Sequence, residues 1–322
     1  MILILVLYML LGLAFTISKA ALEYAAPVFL VGIRMSLAGV LLLGYMYFFN
    51  RRNWYFNKRD IWLLVQISFL SIYLSFILEF WGLQYISSSK DCFLFNLSPF
   101  VTALLEWRFF GVCMTIKKWL GLLIGFVGFF PILLKETPLE EMAGSFLFIS
   151  LPELAILGSA ISAVYAWILI KGLIQKERYS PEMINGITML WGGIAALITS
   201  WLVEKQPVLK FPPHATEISW AHLPFIGYIF GDLGAKIVPL AFYILSLILL
   251  ANVIFYNFYI YLLKKHSATF LSFVGFSAPL FAAFFGWLFL NEPISWAFFI
   301  SVFVVGFGLY IFYQDELLSI QK

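Results

Sequence analysis

The chain has 322 residues, of which 63% are hydrophobic, 20% aromatic and only 11% charged, and its formal net charge is +3. A soluble domain carries about a quarter charged residues, so an ordinary soluble domain is excluded. The few lysines and arginines are scattered through connecting segments, which excludes a basic nucleic-acid surface.

The apolar residues come in blocks of about twenty, the length that crosses a hydrocarbon core about 30 Å thick. In chain order the blocks predict membrane helices over 2–22, 27–49, 61–85, 91–110, 119–134, 153–174, 182–203, 237–263, 269–290 and 294–313. The first block has no basic residues ahead of it and runs past any cleavage site, so it reads as a membrane helix and not a removed signal peptide. The expected fold is therefore all-α, with ten transmembrane helices. Most connections are short, which makes consecutive helices antiparallel neighbours. Two are longer, 135–152 and 204–236, and the second holds Pro207, Pro212, Pro213, His214 and Trp220.

Basic residues set the expected orientation. With the N-terminus cytoplasmic, the inside loops hold Arg51, Arg52, Lys58 and Arg59, then Lys117 and Lys118, Lys176 and Arg178, and Lys264 and Lys265. The outside loops hold Lys90, Lys135, Lys205, Lys210 and Lys236, three of them in one long loop. The excess of inside charge places both termini in the cytoplasm.

The spacing of Pro27, Arg34 and Gly39 in the second block returns as Pro181, Thr188 and Gly193 in the seventh. Pro99 is matched by Pro279, Ala103 by Ala283 and Gly128 by Gly308. This predicts two halves, 1–134 and 153–313, joined by a linker over 135–152 and followed by a cytoplasmic tail over 314–322. Five helices per half is an odd number, so the second half enters the membrane inverted, a recurring transporter plan with the cargo held between the halves.

Several short motifs keep one order along the whole chain. They are Gly12 to Lys19 followed by Pro27 and Arg34, Gly82 to Ser88 leading to Pro99, and Gly121 to Gly128. Ser277-Ala278-Pro279 is then followed by Asn291-Glu292-Pro293-Ile294. The pattern resembles the drug/metabolite transporter superfamily, specifically its ten-helix EamA type. The resemblance implies carriage of amino acids, nucleotide-like compounds or other small metabolites. One departure is that the position matching Glu292 in the first half is Val112.

Charges inside membrane helices cost at least ~2.5 kcal/mol each on insertion scales, so they tend to face a cavity or a partner. Ser68, Ser71, Ser75 and Glu79 recur at three- and four-residue steps, one polar stripe on the third helix. The stripe either lines a cavity or packs against another helix. Asn96, Pro99, Ala103 and Glu106 share a face of the fourth helix, with Glu106 a candidate coupling group or a partner of Arg108. Pro99 and Pro279 are hinges, carbonyl donors or plain kinks. Arg34 is an anion binder, a counter-ion to Glu79 or a structural ion-pair member. Lys19 is expected to snorkel, and Asp91 to favour the positive end of its helix in a capping role and not a binding one.

Asn252, Tyr256 and Tyr259 lie on one face of the eighth helix, and with Phe95, Phe276 and Trp81 they would make aromatic walls with hydrogen-bonding tips. Aromatic faces attract ammonium and sulfonium cations. Together with Glu79 they point to an amino acid or an amino-acid-derived cargo such as S-adenosylmethionine, with a nucleotide-like, nucleoside-like or drug-type cargo as the alternative. The candidate cargo residues are thus Glu79, Ser75, Ser71, Asn96, Phe95, Asn252, Tyr256, Tyr259 and Phe276. Gly121 and Gly125 have the spacing for close helix approach, within the chain or in self-association.

No metal or other cofactor is expected. Cys92 and Cys113 stand at no ligand or redox spacing, and His214 and His222 are isolated. The rival classes are an intramembrane enzyme, which needs a convergent catalytic set, and a membrane assembly or sensor protein. The expected mechanism is alternating access in a bacterial inner membrane, by a monomer or homodimer.

Overall fold

The computed structural model describes residues 2–110, 115–133, 138–146, 149–175, 179–204, 209–210, 238–255, 258–259, 262 and 274–320. Its helices are α1 (Ile2–Ala21), α2 (Pro27–Phe49), α3 (Lys58–Leu83), α4 (Ser88–Phe95), α5 (Ser98–Phe110), α6 (Ile116–Leu133) and a short α7 (Pro138–Ala143). They continue as α8 (Leu151–Gln175), α9 (Pro181–Val203), α10 (Val238–Phe255), α11 (Ala278–Leu290) and α12 (Trp296–Ile320). Among the described residues, 8 helices are long and apolar enough to cross a membrane. Large apolar side chains such as Leu41, Leu123, Phe303 and Phe307 point outward. Such a coat suits lipid and not water. This is an all-α membrane protein.

The elements depart from the expected ones in four places. The block 91–110 is not one helix, because a turn at Asn96 and Leu97 separates α4 from α5. Pro99 has no backbone N–H and disfavours helical geometry in the residue before it. The amides bridge the break by short steps, Leu97 N to Leu94 O at 3.0 Å and Phe100 N to Leu97 O at 3.0 Å. The block 269–290 breaks in the same way ahead of Pro279. Ser277 N donates to Val274 O at 2.9 Å, and Leu280 N to Ser277 O at 3.1 Å. The linker 135–152 carries α7 and a small hairpin in which Ser145 pairs with Ser150. The last helix runs beyond residue 313 to Ile320, because Gln314, Glu316, Leu317 and Leu318 are good helix formers.

Among the described residues, α2 with α9 and α6 with α12 make close helix crossings. In α2 and α9 a Cβ added to Gly39 would meet the Leu190 backbone at 2.5 Å, and one added to Gly193 would meet Ser36 N at 2.5 Å. In α6 and α12 the corresponding contacts are Gly121 with Gly308 O at 2.6 Å and Gly128 with Val305 Cγ2 at 2.7 Å. Helices crossing without Cβ atoms gain backbone van der Waals contact, which replaces the hydrophobic drive absent in lipid. Gly121 and Gly125 therefore lie at a contact inside the chain.

Both α3 and α10 widen to π-helical winding, over Ser68–Leu74 and Ile248–Phe255. Such turns free carbonyls and often mark functional positions. At the far end of α3, the Tyr179 hydroxyl accepts from Asn57 N at 2.9 Å and donates to Asp60 at 3.3 Å. Burial pushes this phenol above its ordinary value, so it stays protonated as the donor.

Candidate functional site

Among the described residues, buried charged side chains gather at the end of the bundle that holds Lys90 and deeper between α2, α3, α4 and α10.

At the Lys90 end, helix starts are capped from distant parts of the chain. Ala26 precedes α2 and has no capping side chain. Glu204, just past α9, accepts from Val28 N at 2.8 Å, Phe29 N at 2.9 Å and Ser200 Oγ at 2.6 Å. Asn291 ends α11 in the left-handed region (φ 53), which turns Glu292 back to accept from Ser88 N at 3.0 Å and Ser88 Oγ at 2.7 Å. Gly286 leaves room for this, since a Cβ there would strike the Glu292 carboxylate. Ser150 and Glu153 form a reciprocal capping box at the start of α8. Lys90 lies between Glu140 at 3.0 Å and Glu153 at 2.6 Å, with both carboxylate side chains fully buried.

Two residues, on α1 and α4, depart from expectation. Lys19 does not snorkel. Its ammonium donates to the carbonyls of Leu83, Gln84 and Ile86, the unsatisfied end of α3. Asp91 does not cap α4, because Ser87 does so by accepting from Lys90 N at 3.2 Å. Asp91 is instead completely buried, and neither carboxylate oxygen has a hydrogen-bond partner among the described residues.

The deeper cluster centres on Arg34, which is 5% exposed. Its Nη2 donates to Asn252 Oδ1 at 3.2 Å, joining α2 to the π-wound stretch of α10. The guanidinium lies over the Phe76 ring at 5.4 Å and near Phe80 at 5.9 Å. Asn252 Nδ2 lies 3.4 Å from Met189 Sδ. Glu79, on α3 between those two phenylalanines, is buried and interacts electrostatically with Arg34. Asp91 lies within electrostatic reach of Glu79, Lys19 and Glu292.

The structure thus brings Arg34, Glu79 and Asn252 together. It disperses other members of the expected set. Ser68 and Ser71 bond to their own helix, at Leu64 O (2.7 Å) and Ile67 O (2.8 Å), and Ser75 bonds to Ser159 on α8 at 3.0 Å. The polar stripe of α3 is therefore answered by its own turns and by a neighbouring helix. Asn96 Nδ2 bonds back to Cys92 O at 2.8 Å beside the break. Phe95 packs against Phe15 at 6.2 Å, Phe276 against Phe93 at 6.0 Å, and Tyr259 stacks on Phe255 at 6.0 Å. Pro279 is buried at the start of α11. Tyr256 and Val112 lie outside the described residues, as do the side chains of Pro99 and Glu106. A buried cation beside a carboxylate, an amide and aromatic rings is suited to a zwitterion, with its anionic group at Arg34 and its cationic group at Glu79.

The model of the EamA-like transporter family matches residues 1–134 and again 150–314. The S-adenosylmethionine/S-adenosylhomocysteine transporter of Chlamydia trachomatis serovar L2 is 33% identical over 94% of this chain and 85% of its own length. The transporter of the same description from Chlamydia muridarum is 32% identical over 94% of this chain and 88% of its own. A crystal structure at 15% identity has the same fold, with a TM-score of 0.52 over 97% of this chain and 95% of that one. The chain belongs to the EamA-like transporter family.

Proposed function

We propose that the chain carries S-adenosylmethionine and its neutral thioether product, S-adenosylhomocysteine, across a bacterial inner membrane by alternating access. The observation that carries the reading is the 33% identity to the chlamydial transporter over 94% of this chain. The buried group of Arg34, Glu79 and Asn252 supports it, because both compounds bear an amino-acid head whose carboxylate suits Arg34 and whose ammonium suits Glu79.

The moving parts are two inverted five-helix halves, 1–134 and 153–313, making ten helices. Several features support this. The π segments begin at Ser68 and Ile248, 180 residues apart, as are Pro99 and Pro279. The helix breaks before the two prolines repeat one hydrogen-bond pattern. Gly39 meets Leu190, while its counterpart Gly193 meets Ser36, the counterpart of Leu190. Corresponding helices related by a two-fold axis make self-matching contacts of this kind. The breaks are the hinges about which the halves rock. With its glycine faces packed inside the chain, the working unit is a monomer.

Labelled S-adenosylmethionine should enter proteoliposomes containing the purified chain, and Glu79→Gln should weaken the apparent affinity at least tenfold, about 1.4 kcal/mol. Wild-type vesicles that take up neither compound would remove the cargo, and an unchanged affinity would remove Glu79 from the site. Orientation is tested separately. In spheroplasts, a membrane-impermeant thiol reagent should label Lys210→Cys and spare Arg52→Cys, and the reverse pattern would invert both termini.

A further inference from the structure

Asp91 stands out among the buried charges because both of its carboxylate oxygens are without a hydrogen-bond partner among the described residues. An ammonium has three donors, and the three of Lys19 point to Leu83, Gln84 and Ile86. The oxygens of Glu292 accept from Ser88. Asp91 is 0% exposed, and both its oxygens lack a hydrogen-bond partner among the described residues. Among the described residues, the charged groups that act on it electrostatically are the Glu79 and Glu292 carboxylates and the Lys19 ammonium. Ionising a buried carboxyl group in acidic company is costly unless a further positive charge approaches.

We propose that Asp91 is the specificity residue that makes the carrier prefer a positively charged sulfur over a neutral one. The proposal rests on the cargo reading above and divides that cargo between two carboxylates. Glu79, beside Arg34, faces the amino-acid head, which both compounds share. Asp91 faces the sulfur, which is a sulfonium in one compound and an uncharged thioether in the other. A sulfonium has no N–H or O–H to donate, so it is attracted by charge and by aromatic faces alone. Asp91 offers the charge. Phe95, one helical turn further along α4 and tilted against Phe15 at 6.2 Å, offers the face. The acidic surroundings act in the same direction, because they favour an incoming cation and give a neutral sulfur nothing.

The test is the ratio of two affinities on one preparation. Purified full-length protein is titrated with S-adenosylmethionine and with S-adenosylhomocysteine, following ligand-dependent thermal stabilisation and displacement of a labelled ligand. Asp91→Asn should weaken S-adenosylmethionine at least tenfold and leave S-adenosylhomocysteine within about threefold, so that the ratio collapses. Asp91→Glu should keep the preference, and Asp91→Ser gives a second neutral variant should the asparagine not fold. Glu79→Gln should weaken both ligands together. If Asp91→Asn and Asp91→Ser weaken both compounds equally, Asp91 merely supports the site and the proposal is overturned while the cargo reading stands. If the wild type binds neither compound, the cargo reading falls and takes the proposal with it.

Discussion

The Lys90 end and the cluster around Arg34 are both buried and both charged, yet they are built on different rules. At the Lys90 end the carboxylates answer protein groups. Glu204 and Glu292 accept from helix-start amides, and Glu140 and Glu153 flank an ammonium. In the deeper cluster, Arg34 and Asn252 meet across α2 and α10, Glu79 interacts electrostatically with Arg34, and the Asp91 carboxylate has no hydrogen-bond partner among the described residues. Groups satisfied by protein can hold a shape, and only groups left in deficit can respond to a cargo. Substitutions at the Lys90 end should therefore lower stability, whereas those in the cluster should change affinity and selectivity more than stability.

The largest stability effect is expected at Lys90. Lys90→Ala removes the ammonium between two fully buried carboxylates, and breaking a buried pair in this way costs about 3–5 kcal/mol. The thermal midpoint in detergent should fall steeply, and adding Glu140→Gln should recover part of the loss by removing one of the stranded charges. A Lys90→Ala protein that melts like the wild type would erase the distinction between the two regions. The proposed Asp91→Asn variant supplies the converse, since it should shift the ligand ratio while leaving the ligand-free midpoint close to that of the wild type.

Much of the scaffold was legible in the sequence because its causes are local. Helix length follows from apolar run length, the close crossings follow from glycine spacing, and the two weak points follow from Pro99 and Pro279. The burial of Arg34 and Glu79 was legible too, because charges in membrane helices turn towards a cavity or a partner. The partners of Lys19, Lys90, Glu204 and Glu292 were not. Each lies on a distant segment, Leu83 for Lys19 and Ser88 for Glu292, and nothing in the local pattern names it. Asp91 misled for a related reason. An acidic residue in the first turn of a helix usually serves that helix, but Ser87 sits one residue before the helix and already holds the amide. The stripe of serines misled because a hydroxyl in a helix can bond to the carbonyl four residues back, which periodicity alone does not reveal.

Glu204 tests the same comparison at its weakest point. It reaches from the end of α9 to the start of α2, two helices already held together along their length by Gly39 and Gly193. Truncating a capping side chain costs about 1 kcal/mol, and the packed crossing keeps α2 in place without it. Glu204→Ala should therefore lower the melting midpoint only slightly, much less than Lys90→Ala, and leave the affinities for both compounds unchanged. A loss at Glu204 as large as that at Lys90 would mean that the junction of α2 and α9 depends on the carboxylate and not on the glycine contact. A change in the ligand ratio would instead place Glu204 with the responsive cluster, and the division between the two regions would have to be redrawn.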